Sequence, residues 1–187
     1  MRIEPTALDG VWRICLEPVT DDRGYFARTF SEQELAAAGL VTQYPEHSVS
    51  FNKAAGTLRG MHWQAAPYGE TKLVRCTRGK VFDVAVDIRP DSPGYRQWVG
   101  EVLSAATGVA LYIPNGFAHG FITLEDDTEA FYFVDEAYAP ETERGVRWND
   151  PEFAIEWPLA PAVLSDKDRD APLLAEISED RFSRFAS

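Results

Sequence analysis

The sequence predicts a mainly β protein, a β-sandwich or β-barrel with a few short helices. Short runs rich in β-branched and aromatic residues follow one another, and Gly, Pro, Asn and Asp separate them. Many short strands in one chain are typical of sandwiches and barrels. A length of 187 residues, 45% of them hydrophobic, fits one domain with a sizeable core. We therefore expect residues 1–187 to form a single domain, with a C-terminal extension from about residue 169.

The strand predictions rest on alternation between apolar and polar side chains. Alternation places His62, Lys72 and Tyr132 each on one defined face of its own strand. In an enclosed β structure such side chains meet in an interior that holds one small ligand. The predicted strands cover residues 11–18, 48–52, 57–64, 72–77, 79–88, 97–103, 108–113, 119–123, 129–134 and 145–148.

Two helices are predicted. Ser31 and Glu34 form a capping-box pattern before a run of alanines, and Gly39 is a residue that typically ends a helix. We therefore expect a helix between Ser31 and Gly39. A second helix is expected over residues 171–182, where apolar residues are scattered among charges.

The net charge of −12 disfavours broad binding to nucleic acid or to an anionic membrane. Basic residues are nevertheless concentrated in the first half of the chain, which leaves two interpretations: ordinary surface scatter, or a local patch for a phosphate. No apolar run reaches 18 residues and no signal peptide is visible, so we expect a cytoplasmic protein with no membrane partner.

The cysteines and histidines of the sequence give little support for a disulfide bond or a metal site. Cys15 and Cys76 are far apart and form no CxxC pattern. The chain has three histidines, and a three-ligand metal site would need His62 and His119 to converge with His47 or a carboxylate. We therefore expect no metal.

His62 follows Arg59 and Gly60, a combination that suits a general base beside a phosphate contact. The alternative is a structural histidine in a strand. Strict alternation puts Arg59 and His62 on opposite faces, and only a bend at Gly60 would bring them together.

The other candidate residues each have two interpretations. Lys72 is either a strand-edge residue or a cation that stabilises an oxyanion. Tyr132 is either a core tyrosine or a proton donor. Asp168 is either a turn residue or the partner that orients His62, and His119 is a candidate partner of Asp83.

Several motifs occur in one order along residues 20–170. They are DRGYF at 22–26, GTLRGMHWQ at 56–64, KLVR at 72–75, RGKVFDVAVD at 78–87, IPNGFAHGF at 113–121, PE at 140–141, RGVRWNDP at 144–151 and LSDKD at 164–168. Together they resemble the dTDP-4-dehydrorhamnose 3,5-epimerases. The resemblance implies a cupin-type jelly roll and a homodimer that binds a nucleotide sugar and uses no metal or nicotinamide.

The resemblance also implies a role for each candidate residue. His62 would be the base, oriented by Asp168, and Tyr132 the acid on the opposite face of the sugar. Lys72 would lie near the C4 oxygen. In substrate binding, the resemblance implies that Arg23 and Arg59 contact the diphosphate, and Arg23 could come from the partner subunit. His119, paired with Asp83, would line the sugar pocket. Further implied substrate contacts are Phe26, Tyr138, Glu143 and Lys167.

The chain departs from the family pattern at several positions. Glu46 and Ser48 stand where relatives often carry a Gln-x-Asn pair, Arg28 stands where a glutamate is common, and Phe133 replaces a frequent lysine after the tyrosine. These departures leave open an epimerase acting at C3 only or at C5 only, and a sugar-nucleotide binding protein without turnover.

Overall fold

The computed structural model describes residues 1–177, which form fourteen strands and four short helical segments. The strands are β1 Arg2–Pro5, β2 Trp12–Cys15, β3 Val19–Asp21, β4 Gly24–Phe26, β5 Glu46–Asn52, β6 Thr57–Gln64, β7 Lys72–Arg78, β8 Lys80–Asp87, β9 Trp98–Ser104, β10 Ala110–Ile113, β11 Phe117–Thr123, β12 Thr128–Val134, β13 Glu143–Gly145 and β14 Val163–Leu164. The helices are α1 Glu32–Ala37 and α2 Asp166–Arg169, with 3-10 turns at Pro140–Thr142 and Leu174–Glu176.

The strands form two large sheets and one small ribbon. The first sheet has the order β1-β2-β10-β7-β12-β5, and the second has the order β13-β6-β11-β8-β9, with β14 alongside β6. Among the described strands, all pairs are antiparallel except β14 with β6, and β3 and β4 pair with each other as the ribbon. The prediction of a mainly β fold is confirmed. The two sheets are not closed into a barrel, so the sandwich alternative describes the arrangement.

The main core lies between the two large sheets. Val74 and Ala130 of the first sheet pack with Ala85 and Phe121 of the second. Removing these apolar surfaces from water holds the sheets face to face. The same interior contains the polar cavity described below, at the end where β5, β7 and β12 face β6 and β11.

The outer face of each large sheet is also covered. Leu35 of α1 packs on Leu73 and Ile14 of the first sheet. On the second sheet, Val84 and Val86 pack against Phe153 from the C-terminal part of the chain. Strand β8 is therefore buried on both faces.

The first predicted helix is confirmed. The Ser31 side chain accepts a hydrogen bond from the Glu34 backbone at 3.3 Å, and Gly39 follows the helix with φ +72°. This is the N-cap and glycine-stop chemistry expected from the sequence.

The second predicted helix is wrong over residues 171–177, where only the 3-10 turn Leu174–Glu176 forms. Residues 178–182 of that prediction lie outside the described residues. The predicted strand 145–148 is also wrong, because the strand in this region, β13, is Glu143–Gly145. The sequence analysis missed β1, β3, β4, β14 and α2, which are too short to show a clear period. In the described part of the chain, no helix reaches the length and hydropathy of a membrane-spanning helix.

Candidate active site

A cavity of about 640 Å³ opens between the two large sheets. One side, the tyrosine wall, belongs to the first sheet and carries Glu46, Ser48, Ser50, Lys72, Tyr132 and Val134. The other side, the histidine wall, belongs to the second sheet and the β14–α2 segment, and carries Arg59, His62, His119, Phe121 and Asp168. A molecule in the cavity would have a different set of polar groups on each face.

An irregularity in β6 brings Arg59 and His62 to the same cavity. His62 is paired with His119, whereas Arg59 is paired with Phe121, so β6 has one residue more than β11 between the two pairs. Such a bulge reverses the alternation of side chains beyond it. Gly60 lies inside the bulge with φ +120°, and a Cβ there would lie 2.5 Å from the Gly120 Cα. The required bend at Gly60 is therefore present, and a glycine is needed for it.

His62 is held by Asp168. The His62 Nε2 and the Asp168 Oδ1 are 2.6 Å apart, and the Asp168 side chain is almost fully buried on α2. Burial alone would raise the pKa of the Asp168 carboxyl, but the hydrogen bond with His62 and its charge outweigh burial and hold that pKa below its usual value. Asp168 is therefore ionised and accepts a hydrogen bond from the Nε2–H of His62, which leaves the Nδ1 of His62 as the nitrogen that can act as a base.

His119 forms a second histidine–aspartate pair beside the first. Its Nε2 lies 3.0 and 3.1 Å from the two carboxylate oxygens of Asp83, which has no exposed surface. Because His119 and His62 are direct partners across β11 and β6, the two imidazoles are neighbours on the histidine wall. Asp83 does not line the cavity, so its contact with a substrate would run through His119.

The tyrosine wall follows regular strand alternation. Tyr132 lies between Ser48 on β5 and Val74 on β7, and its side chain faces the cavity. Within residues 1–177, no side chain or backbone group forms a hydrogen bond with the Tyr132 hydroxyl. Lys72 begins β7 on the same wall, and its ammonium forms an ion pair with Glu70. A tyrosine hydroxyl and an ammonium therefore face the histidine wall across the cavity.

A charged cluster forms the rim of the cavity. Lys167 forms an ion pair with Glu143, and the exposed Tyr138 donates a hydrogen bond to the Glu143 Oε2 at 3.0 Å. Burial would raise the pKa of Glu143, but Lys167 and Tyr138 lower it overall. The same hydrogen bond with Glu143 raises the pKa of Tyr138. Glu143 is thus an ionised acceptor that fixes two neighbouring donors.

Two of the expected binding residues lie away from this cavity. Arg23 and Phe26 are on the ribbon formed by β3 and β4, where their side chains are exposed, and Arg23 pairs with Asp21. Arg59 does line the cavity, and its Nε donates to the Asn52 side chain at 2.8 Å. The structure therefore brings together all the expected site residues except Arg23 and Phe26. Asp83 does not line the cavity itself but contacts His119, which does.

The structure adds residues that the sequence analysis did not identify as site residues. Glu46 and Ser48, noted there only as departures, line the cavity together with Ser50. Their period of two along β5 was a usable signal. Glu70 also lines the cavity, but it lies in a loop rich in Gly and Pro where no periodicity points to it. In residues 1–177, no three His, Cys, Asp or Glu side chains converge to form a metal site.

Two facing sheets with an interior cavity, a histidine–aspartate pair on one wall and a tyrosine and lysine on the other, define a cupin-like isomerase that works by proton transfer. A family model described as dTDP-4-dehydrorhamnose 3,5-epimerase matches residues 5–176. The chain belongs to that family.

Individual relatives agree with this assignment. The dTDP-4-dehydrorhamnose 3,5-epimerase of Sinorhizobium fredii is 46% identical over 162 residues, which covers 84% of this chain and 81% of the relative. The dTDP-4-dehydrorhamnose 3-epimerase of Streptomyces niveus is 40% identical over 177 residues, an alignment that covers 94% of this chain and 85% of the relative. The crystal structure of the Legionella pneumophila enzyme, dTDP-6-deoxy-D-glucose-3,5-epimerase in complex with dTDP-4-keto-L-rhamnose, superposes with a TM-score of 0.92 at 36% identity, covering 100% of this chain and 99% of that one.

Proposed function

We propose that this chain inverts C3 and C5 of dTDP-4-keto-6-deoxy-D-glucose and so produces dTDP-4-keto-L-rhamnose. One observation carries the proposal for the site: the His62–Asp168 pair and the Tyr132 hydroxyl lie on opposite walls of one cavity. Inversion of a carbon requires that a proton leave one face of the sugar and return to the other. The two walls supply a base and an acid on those two faces.

The 4-keto group makes the protons on C3 and C5 acidic, because the electrons left by either proton move onto the C4 oxygen. The Nδ1 of His62 takes the proton, and Asp168 stabilises the imidazolium that forms. The ammonium of Lys72 stabilises the negative charge on the C4 oxygen. Tyr132 then returns a proton to the carbon from the opposite face. After this step His62 holds an extra proton and Tyr132 is a tyrosinate, so the imidazolium releases its proton to solvent and the tyrosinate takes one up. The same steps at the second carbon then complete the reaction.

The remaining candidates bind the substrate. Arg59 carries a positive charge in the cavity and suits one part of the diphosphate. His119 with Asp83 would bind a sugar hydroxyl, and Tyr138, Glu143 and Lys167 form a rim suited to the nucleoside end.

Arg23 and Phe26 require a second subunit in this proposal. Both project from an exposed ribbon and lie outside the cavity of their own chain, so a homodimer in which the ribbon reaches the partner's cavity would give each a role. The homodimer and the cytoplasmic location stay predictions.

An epimerase acting at a single carbon is the second candidate. The Streptomyces niveus relative named as a 3-epimerase is 40% identical, so both regiochemistries occur among proteins this similar. Glu46 and Ser48 line the cavity and depart from the common family pattern, which makes them the first residues to test if only one carbon reacts.

The deciding experiment is proton NMR of dTDP-4-keto-6-deoxy-D-glucose with the protein in deuterium oxide. Deuterium entering at both C3 and C5, with formation of the L-rhamno product, supports the proposal. Exchange and inversion at one carbon only would establish the single-site alternative. A folded protein that exchanges neither carbon would refute both.

A further inference from the structure

The side chain of Lys72 is nearly buried and forms an ion pair with a second nearly buried side chain. Only 12% of its side chain is exposed, and it lies at the start of β7 on the tyrosine wall. Its ammonium contacts Glu70, whose side chain is 13% exposed and also lines the cavity. An ammonium has three donors, so the contact with Glu70 leaves two for other acceptors in the cavity.

The loop that carries Glu70 is fixed by the buried start of β7. The Thr71 backbone N–H donates to the Asp135 carboxylate at 2.6 Å, and the Asp135 N–H donates to the Thr71 carbonyl. Thr71 is 4% exposed. Because Thr71 is the residue between Glu70 and Lys72, this pair of hydrogen bonds fixes the backbone from which both charged side chains extend.

We infer that Glu70 is a positioning residue for the proposed reaction: it holds the Lys72 ammonium where two of its N–H groups point at the C4 oxygen of the substrate. This inference rests on the proposed function. A nearly buried lysine without a partner would lose much of its hydration and adopt other rotamers. Glu70 removes both problems, since its carboxylate compensates the charge and restricts the direction of the side chain.

Among the carboxylates of the cavity, Glu70 is the one placed to position the Lys72 ammonium. The tyrosine wall also carries Glu46, and Glu136 lies beyond β12, but in the described residues neither forms an ion pair with Lys72. Glu70 is therefore the carboxylate whose loss would release the lysine. Because the substrate itself is anionic, a carboxylate in this cavity disfavours binding unless it acts through a cation.

The test compares Glu70→Gln and Glu70→Asp with the wild-type protein, after the deuterium exchange experiment has established that the wild type is active. Glu70→Gln is expected to lower kcat by about ten-fold while KM changes by less than about two-fold, because misplacing a group that stabilises the transition state costs rate rather than binding. Glu70→Asp keeps the charge and should restore part of the rate. If Glu70→Gln does not fold, Glu70→Asp alone is compared with the wild type, with an intermediate kcat expected.

A double variant separates positioning from a general structural effect. In a Lys72→Met background, Glu70→Gln should cause no further loss of deuterium exchange, because the residue it acts through is gone. Glu125→Gln is the matched control, since Glu125 pairs with Lys80 at 2.9 Å on the surface and should leave kcat unchanged. Wild-type kcat in both Glu70 variants, or an equal loss with and without Lys72, would overturn the inference. An inactive wild type would instead refute the proposed function.

Discussion

The two walls of the cavity are built differently. On the histidine wall, each imidazole contacts a buried carboxylate: His62 pairs with Asp168, and His119 pairs with Asp83. On the tyrosine wall, Lys72 is paired with Glu70, but the Tyr132 hydroxyl has no hydrogen-bond partner within residues 1–177. The histidine wall is therefore preorganised by the fold, whereas the Tyr132 hydroxyl is not held by any described protein group and is available to a molecule in the cavity.

This difference between the walls predicts two different effects of substitution on stability and activity. Buried, hydrogen-bonded groups contribute to folding as well as to chemistry, so a change behind the histidine wall should cost both stability and activity. A change at Tyr132 should cost activity alone. The predictions below test that contrast, beginning with the largest expected effect on activity.

His62→Ala should lower the rate of epimerisation by roughly 10⁴-fold, since it removes the proposed base. Nucleotide-sugar binding, measured by calorimetry, should change little, because Arg59 and the rim residues remain. His47→Ala is the control: His47 is exposed, contacts the Tyr44 carbonyl at 3.1 Å and does not line the cavity. Turnover in His62→Ala close to that of the wild type would contradict its role as base.

Asp168→Asn should lower the rate by roughly 10³-fold, because an amide can donate to Nε2 and so favours the wrong tautomer of His62. It should also lower the free energy of unfolding at neutral pH by about 2 kcal/mol, the typical value of a hydrogen bond to a charged group. Asp166→Asn is the matched control on the same helix, since the Asp166 side chain is 88% exposed.

The stability effect of Asp168→Asn has a defined dependence on pH. Because the pKa of Asp168 is lowered in the folded protein, its ionised form stabilises the fold. That contribution is complete above the ordinary aspartate pKa of about 3.9 and is lost as the pH falls through the lower folded-state pKa. Urea denaturation should therefore show a gap between wild type and variant that is larger at pH 5 than at pH 3. A gap that widens toward pH 3 would contradict this assignment.

Tyr132→Phe should lower inversion by roughly 10²-fold, the lower end of what a general acid contributes. Loss of deuterium exchange should be smaller, because His62 still removes the proton, and the melting temperature should stay within about a degree of the wild type. Tyr44→Phe provides the contrast: the Tyr44 hydroxyl donates to the Val41 carbonyl outside the cavity, so that variant should lose stability and keep its rate. Equal losses of exchange and inversion in Tyr132→Phe would remove the case for a separate acid.

The same contrast explains how much of the site the sequence predicts. On the tyrosine wall, Lys72 and Tyr132 follow the regular period of two, and that period alone assigns their faces correctly. On the histidine wall the period fails, because the extra residue beside Gly60 brings Arg59 and His62 together, and only the paired register reveals that residue. Asp168 is on a four-residue helix 106 positions from His62, and no periodicity predicts this contact. The residues alone left it as one of two interpretations of Asp168, and the family resemblance favoured it.

The bulge on the histidine wall offers the last test of the contrast. In Gly60→Ala the new Cβ would lie 2.5 Å from the Gly120 Cα and 2.7 Å from the His119 carbonyl oxygen, and φ would still have to be +120°. Both neighbours are backbone atoms, so the strands must move apart. We expect a loss of about 2 kcal/mol or more in the free energy of unfolding. The rate should fall roughly ten-fold, because β6 carries both Arg59 and His62.

Gly39→Ala separates crowding from backbone conformation. Gly39 has φ +72° after α1, and an added Cβ there would have no neighbour within 4 Å. That variant should lose about 1 kcal/mol, the usual cost of a left-handed conformation for alanine, and keep its full rate. If Gly60→Ala matched Gly39→Ala in both stability and rate, the bulge would tolerate a side chain. The close approach of β6 to β11 would then no longer explain why Arg59 and His62 share the cavity.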